Sequence, residues 1–387
     1  MDPLVRKLVD IATVPFRGCR NCAHVAEIAD APMALVHKVL DTAANPGGVV
    51  GEHGVRIEEG RRAGSHLRRY RFPFVRKSDP ALIKALTAPD SPARLSPPVR
   101  GTFRVGAVQE RWHKNPVEHE AALRTGIEMA AGEGALLVCL QELTMSPYFA
   151  VRSDAQQYAR TRLETIPGGP TTDFARRSAR EFGVHVQASL HERAPDGGLG
   201  YNTSIVVGPG GELVARVRKV HIPAAAGYHE DSYFRPSDDD DPYPVVEVGK
   251  MRCGFPTCWD QWFPEVARIY ALAGADVIVY PTAIGSEPDL PKFDTRPLWE
   301  RVITANGIAN GTFMVVVNRI GVEPPLRFYG SSFISDPYGR VLVRAPRNRP
   351  AVLVADLDLD QRRDWLDLFP FLRTRRPEMY RSLTRGR

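Results

Sequence analysis

Glu142, Lys219 and Cys258 each read as standing at the end of a strand, and a carboxylate, an ammonium and a thiol are together the parts of an activated nucleophile. Glu142 follows Ala135–Leu140, within Leu140-Gln141-Glu142-Leu143-Thr144-Met145-Ser146-Pro147-Tyr148-Phe149. A carboxylate at the carboxyl end of a strand faces the usual ligand crevice of an α/β protein, and partial burial there raises its pKa towards that of a useful base. Lys219 ends the Glu212–Val217 run, in Val217-Arg218-Lys219-Val220-His221-Ile222-Pro223, and supplies a fixed positive charge. Cys258 lies in Gly254-Phe255-Pro256-Thr257-Cys258-Trp259-Asp260-Gln261-Trp262-Phe263-Pro264-Glu265, where two prolines bracket a turn between strand and helix. Backbone N–H groups and a nearby cation favour a thiolate in such a place. Taken singly, the three are a salt-bridged glutamate, a surface lysine and an inert buried cysteine. Taken in this order, each at a strand end, they predict a thiol-dependent amidase. Walker, HExxH, serine-elbow and dinucleotide motifs are all missing from the sequence.

The elements that must hold these side chains alternate. Phe103–Val108, Ala135–Leu140, His185–Leu190, Ser204–Val207, Val245–Val248, Asp276–Tyr280, Phe313–Val317 and Val352–Ala355 read as strands. Helical spacing at about Pro116–Ala131, Thr172–Phe182, Pro264–Leu272 and Leu298–Asn310 falls between many of them, which predicts a mixed α/β domain over residues 101–387. Residues 78–100, with Pro80, Pro89, Pro92, Pro97 and Pro98, read as a linker or an extended wrap, interrupted by a short helix around Ala81–Leu86. Residues 1–77 read as a separate small domain. Helical segments at Pro3–Thr13, Ala23–Ala31 and Pro32–Ala44 precede a hairpin in which Val49–Glu58 and His66–Val75 flank a Gly60–Gly64 turn. That order is winged-helix-like, with Arg61, Arg62, Arg68, Arg69, Arg71, Arg76 and Lys77 along the wing and the strand beyond it.

Composition bounds the rest. With 43% hydrophobic and 25% charged residues, a mostly disordered chain is excluded. The formal charge of +6 resides in the first hundred residues, and the remainder is neutral. Apolar runs such as Leu272–Tyr280 stop well short of a membrane span, and Arg6 and Lys7 are followed by no signal-peptide pattern. Five cysteines argue against a secreted disulfide framework and for a cytoplasmic protein. Cys139 and Cys253 read as passive core residues. Cys19 and Cys22, with His24 nearby, form a lone CxxC with no second pair, so no metal site is assigned. Asp238–Asp241 reads as a solvated turn rather than a cation site.

The three motifs resemble those of the nitrilase, or carbon–nitrogen hydrolase, superfamily over roughly residues 101–382. Tyr280-Pro281-Thr282-Ala283-Ile284-Gly285-Ser286-Glu287-Pro288 and Tyr329-Gly330-Ser331-Ser332-Phe333-Ile334 are similar to the N-carbamoylputrescine amidase branch. The resemblance implies an α-β-β-α sandwich whose copies pair through helices into a homodimer or larger homo-oligomer. It implies Cys258 as nucleophile, Glu142 as base, and Lys219 with the backbone N–H of Trp259 as oxyanion stabilisers. It implies a second acid beside the lysine, for which Glu230 in Gly227-Tyr228-His229-Glu230-Asp231 holds the matching place and Glu192 is the other candidate. Tyr148, Gln261 and Trp262 are expected in the substrate pocket, and no cofactor is required.

Relatives that act on N-carbamoyl amino acids commonly place an arginine three residues after the nucleophile. Gln261 stands there, and a neutral amide cannot form the bidentate pair that arginine makes with a carboxylate. An amine-type substrate such as N-carbamoylputrescine is therefore expected ahead of an N-carbamoyl-β-amino acid or a simple amide. Ala224-Ala225-Ala226 after the lysine motif, Thr144-Met145 after the base and Phe255-Pro256-Thr257 before the nucleophile depart from the branch pattern and would reshape the pocket. The contrasting expectation is a regulator that binds nucleic acid through residues 1–77 and uses the hydrolase-like domain as a sensor. An intact Glu–Lys–Cys set favours the enzyme, because a sensor has no need of it. Packing of residues 1–77 against protein is favoured over nucleic-acid binding.

Overall fold

The computed structural model describes residues 80–385 and, as backbone only, two segments at 56–62 and 65–71. The chain divides into Met1–Asp79 and Pro80–Arg387. In the first unit Arg56–Arg62 pairs antiparallel with Ser65–Arg71, closing a hairpin within the expected turn. The three helices expected before it lie outside the described residues, as do Cys19, Cys22 and His24.

In chain order the second unit begins with β1 (Ala81–Ala85), β2 (Thr102–Gln109), α1 (Pro116–Gly132), β3 (Leu137–Leu140) and α2 (Pro170–Phe182). It continues with β4 (His185–Glu192), β5 (Tyr201–Val207), β6 (Leu213–Arg218), β7 (Val246–Val248), β8 (Met251–Gly254) and α3 (Pro264–Leu272). Then come β9 (Val277–Thr282), α4 (Arg296–Asn310), β10 (Phe313–Asn318), β11 (Ile320–Glu323) and β12 (Leu326–Tyr329). The last are β13 (Phe333–Ser335), β14 (Val341–Arg344), β15 (Ala351–Asp358) and α5 (Asp360–Leu368). One sheet runs β1-β15-β2-β3-β4-β5-β6 and the other β7-β8-β9-β10-β13-β14.

Strands β3, β9, β10 and β15 are mostly apolar because both sheet faces are covered. Leu137 and Cys139 of β3 point into a core shared with Val277 and Val279 of β9 and Phe313, Val315 and Val317 of β10. Val138 and Leu140 point the other way, onto Leu123 and Ile127 of α1 and Phe174 of α2. Ile278, Tyr280, Met314 and Val316 likewise turn outward onto Val266 of α3 and Trp299 and Ile303 of α4. The period of two therefore sorts one apolar sequence onto two faces, and the layers are helix, sheet, sheet, helix.

Ala81–Leu86 is not the expected helix. Ala81–Ala85 is β1, paired parallel with Ala351–Ala355 of β15. Ala81, Ile83 and Ala85 join the inter-sheet core, and Leu82 and Leu86 join the outer one. Ala, Leu and Lys favour helix locally, but the neighbouring strand supplies the hydrogen bonds and the two-sided burial that decide the matter. The prolines beyond it form an extended wrap. Arg94 pairs with Asp358 and Asp364, the N–H groups of Val99 and Arg100 both donate to Asp360 Oδ2 at 2.8 Å, and Arg100 grips Asp276 at 2.6 and 2.7 Å. Among the described residues no helix is long and apolar enough to cross a membrane.

His119 on α1 ties a helix to the Glu142 loop. Its Nε2 lies 2.8 Å from the Thr144 carbonyl, which can only accept, so Nε2 carries the proton. Burial lowers its pKa to about 4, against the Thr144 bond, with Arg319 adding to the lowering. The unfolded imidazole takes up its proton near pH 6.5, before the folded one does. Stability is therefore lost as pH falls from about 6.5 to about 4, by on the order of 3 kcal/mol for this group. His119→Gln keeps an N–H donor but does not titrate, and is expected to flatten the acid limb of a calorimetric Tm–pH curve. A variant curve as steep as the wild type would refute this.

Candidate active site

Each of the three strand-end residues sits in a turn that backbone hydrogen bonds hold. After β3 the chain turns through Leu143, whose φ is +48°, outside the regions that suit a branched side chain. Its N–H donates to Ser189 Oγ at 3.1 Å and that of Thr144 to the Ser189 carbonyl at 2.8 Å, so β4 fixes the Glu142 turn from one side. Lys219 leaves β6 with its N–H donating to the Asn202 carbonyl at 2.8 Å. Cys258 follows β8 with φ +41° and opens the one-turn helix Cys258–Trp262. Asp260 holds that elbow: its Oδ2 accepts from Thr257 N at 3.1 Å, and its Oδ1 accepts from the backbone N of His221 at 2.9 Å and lies 2.7 Å from the ring Nδ1. One buried carboxylate thus joins the cysteine turn to the loop just after Lys219.

The side chains meet in a closed cluster. Lys219 Nζ donates to Glu142 Oε1 at 2.9 Å and to Glu230 Oε2 at 2.7 Å, and all three residues are within 1% of complete burial. Asn202 Nδ2 donates to Glu142 Oε1 at 2.7 Å, and Tyr148 Oη to Glu230 Oε1 at 2.7 Å. Glu142 Oε2 is buried with no partner. Burial disfavours the Lys219 ammonium, but Glu142 and Glu230 outweigh it and hold its pKa above the ordinary value. Burial also raises Glu230, opposed by Lys219 and reinforced by Glu142. The Cys258 thiol is pushed well up by burial and by Glu142, with Lys219 and an N–H from Ala283 opposing. The resting sulfur is therefore a thiol beside an ammonium and a carboxylate with one free oxygen, an arrangement suited to proton removal during attack rather than before it.

Glu192 is elsewhere. It accepts from Arg218 at 2.7 and 3.0 Å and from Thr203 at 2.7 Å, so its charge is answered by a structural arginine. Asp238 and Asp239 of the acidic run pair with the same Arg218 at 2.8 and 3.2 Å. Among the described residues no group of three or more His, Cys, Asp or Glu is set to hold a metal. Gln261 is completely buried, its Oε1 accepting from Thr282 at 3.4 Å, while Trp259 and Trp262 are half-buried with ring centres 6.4 Å apart. Asn202, Asp260 and Arg319 carry no sequence signal of their own. Glu287 was legible only as part of a segment, and its Oε1 accepts from Thr295 at 2.9 Å.

Residues 104–367 match the model of the carbon-nitrogen hydrolase family. The chain belongs to that family. Among carbon-nitrogen hydrolases, a citrullinase from Francisella tularensis is 35% identical over 73% of this chain and 98% of its own length. An N-carbamoylputrescine amidase from Solanum lycopersicum is 37% identical over 66% of this chain and 86% of its own. The crystal structure of a carbon-nitrogen hydrolase from Helicobacter pylori, 31% identical, covers 74% of this chain and 99% of that one with a TM-score of 0.66. The protein is accordingly a hydrolase of non-peptide C–N bonds in linear amides, built on the family's sandwich.

Proposed function

We propose that this amidohydrolase cleaves the terminal ureido group of an N-carbamoyl amine, with N-carbamoylputrescine as the first substrate to try. Glu142 Oε2 takes the proton as Cys258 attacks the ureido carbon. The developing oxyanion is met by Lys219 and the Trp259 N–H, each such donor being worth roughly 10²–10³ in rate. The proton returns to the leaving nitrogen, ammonia departs, and an N-alkyl carbamoyl thioester remains on Cys258. Glu142 then activates water. The thioester opens to a carbamate, which loses carbon dioxide to give the amine. The observation that carries the chemistry is the buried Lys219 bridging both glutamates while one oxygen of Glu142 stays free.

Glu287 supports a cationic substrate. One of its oxygens is held by Thr295. Two residues before Glu287, the Gly285 N–H donates to Tyr228 Oη at 2.9 Å, and the Tyr228 ring lies 6.1 Å from that of Tyr148, which donates to Glu230, so the segment carrying Glu287 borders the cluster. A carboxylate there suits the distal ammonium of N-carbamoylputrescine. The likeness to a citrullinase favours a second reading, citrulline, which offers the same ureido group with an ammonium and adds a carboxylate. Ammonia release should be measured on N-carbamoylputrescine, citrulline, N-carbamoyl-β-alanine and a simple aliphatic amide. The first is expected to give the highest kcat/KM, and Glu287→Gln is expected to raise its KM about tenfold or more while sparing the simple amide. Preference for citrulline or N-carbamoyl-β-alanine would keep the chemistry and overturn the amine substrate.

A further inference from the structure

Arg319 follows β10 and is completely buried, where a cation must be answered by partners; its Nε has none, so the two Nη nitrogens carry all of its side-chain hydrogen bonds. Its Nη2 donates to three carbonyls of one turn: Glu142 at 2.9 Å, Leu143 at 3.1 Å and Ser146 at 3.1 Å. Its Nη1 donates to Glu323 Oε1 at 2.6 Å, and Glu323 Oε2 accepts from the Tyr148 N–H at 2.7 Å. Tyr148 in turn donates to Glu230. The guanidinium lies beside the Phe328 ring, 5.5 Å from its centre, so its direction is fixed by β12 as well. A turn carrying a non-glycine residue at φ +48° persists only where its surroundings over-determine it. Three carbonyls facing one way on a single guanidinium supply that constraint.

We propose that Arg319 is the positioning residue of the base. It locks the Glu142–Ser146 turn, with Glu323 as its counter-charge, and through Glu323 and Tyr148 it also steadies Glu230. Both carboxylates flanking Lys219 are then referred to one rigid cation on the opposite sheet. The proposal rests on Glu142 being the base of the reaction above. It requires a planar fork: lysine would keep the charge but could not reach three carbonyls and a carboxylate at once.

The test uses the full chain and two readings, steady-state kinetics and the rate at which iodoacetamide alkylates Cys258, with Tm measured for each variant. Arg319→Lys is expected to lower kcat about 10²-fold while KM changes less than about threefold, and to slow alkylation by a similar factor, because displacement of a catalytic group by about 1 Å has that effect. Glu323→Gln should do the same about tenfold. Glu142→Gln sets the reference. If Glu142→Gln alkylates at the wild-type rate, Glu142 is not the base, and the proposal falls with the chemistry it rests on. If Glu142→Gln is slow but folded Arg319→Lys and Glu323→Gln react at the wild-type rate, Arg319 positions nothing and falls alone. Where Arg319→Lys does not fold, Glu323→Gln decides by the same two rates. A rise in KM with kcat unchanged would also overturn it.

Discussion

Cys258→Ala is expected to reduce ammonia release by at least about 10⁴-fold on every substrate, with the fold intact. Replacing a thiol by a hydrogen removes little volume, so the elbow built by Thr257 and Asp260 should survive and Tm should move little. No other group in the cluster can replace the sulfur. Glu142 accepts from Lys219 and is the proposed base, Lys219 is a firmly held ammonium, and Glu230 is spanned by Lys219 and Tyr148. The state of the thiol sharpens the expectation. Burial, reinforced by Glu142, keeps it protonated at neutral pH despite Lys219. Reactivity then depends on proton transfer to a neighbour, so Glu142→Gln should cost nearly as much as losing the sulfur. Cys139 and Cys253 are buried too, and burial raises both. Neither has a base or cation to relieve it. Iodoacetamide followed by peptide mass analysis should therefore label Cys258 and spare the other two. Residual turnover in Cys258→Ala above about one part in 10³ would rule out the covalent mechanism.

What made Cys258 legible in sequence also marks the limit of legibility. The apolar runs before Glu142 and Lys219 and the proline-bracketed turn around Cys258 marked strand ends, and the structure puts the three residues beyond β3, β6 and β8. The helices Pro116–Gly132 and Pro264–Leu272 were readable because proline opens each and the apolar spacing is helical. Ala81–Ala85 was not, because its strand state comes from β15, some 270 residues away along the chain, and not from its own propensity. Asn202 lay just outside the expected strand Ser204–Val207 and carried no reading, yet it donates to Glu142 and, at 3.4 Å, to Glu230. Arg319 drew no reading from the sequence, and only the packed structure shows it inserted under a turn 177 positions earlier in the chain. The family resemblance put Glu230 ahead of Glu192 without any contact to show for it; in the structure Glu230 meets the lysine and Glu192 meets Arg218. Local pattern thus supplied the reacting groups, while the groups that hold them came from contacts that sequence distance hides.

Lys219→Met should disable catalysis and stability together, and the pH dependence separates its causes. The ammonium is buried between two buried carboxylates. Removing one partner of such a set leaves uncompensated charge, typically at a cost of about 3–5 kcal/mol. The variant answers by binding a proton. Glu230 is already raised by burial against the pull of Lys219, and without the lysine it must rise further. A carboxylate whose folded pKa exceeds its unfolded one stabilises fully below the unfolded value, and that contribution is lost as pH rises through the folded value. Lys219→Met should therefore lose Tm as pH rises through the window above the ordinary carboxylate range. Wild-type Lys219, with its folded pKa raised, keeps its contribution across that window and loses it only above the ordinary lysine range. Activity should fall about 10²–10³-fold or more, because the developing oxyanion of the proposed reaction loses a donor. A merely structural lysine would lower Tm without lowering kcat in the surviving folded protein, and a merely catalytic one would lower kcat with a flat Tm–pH curve. Scanning calorimetry beside initial rates at pH 6 and pH 9 distinguishes the two, and only loss of both agrees with one cation serving the fold and the reaction from the same position.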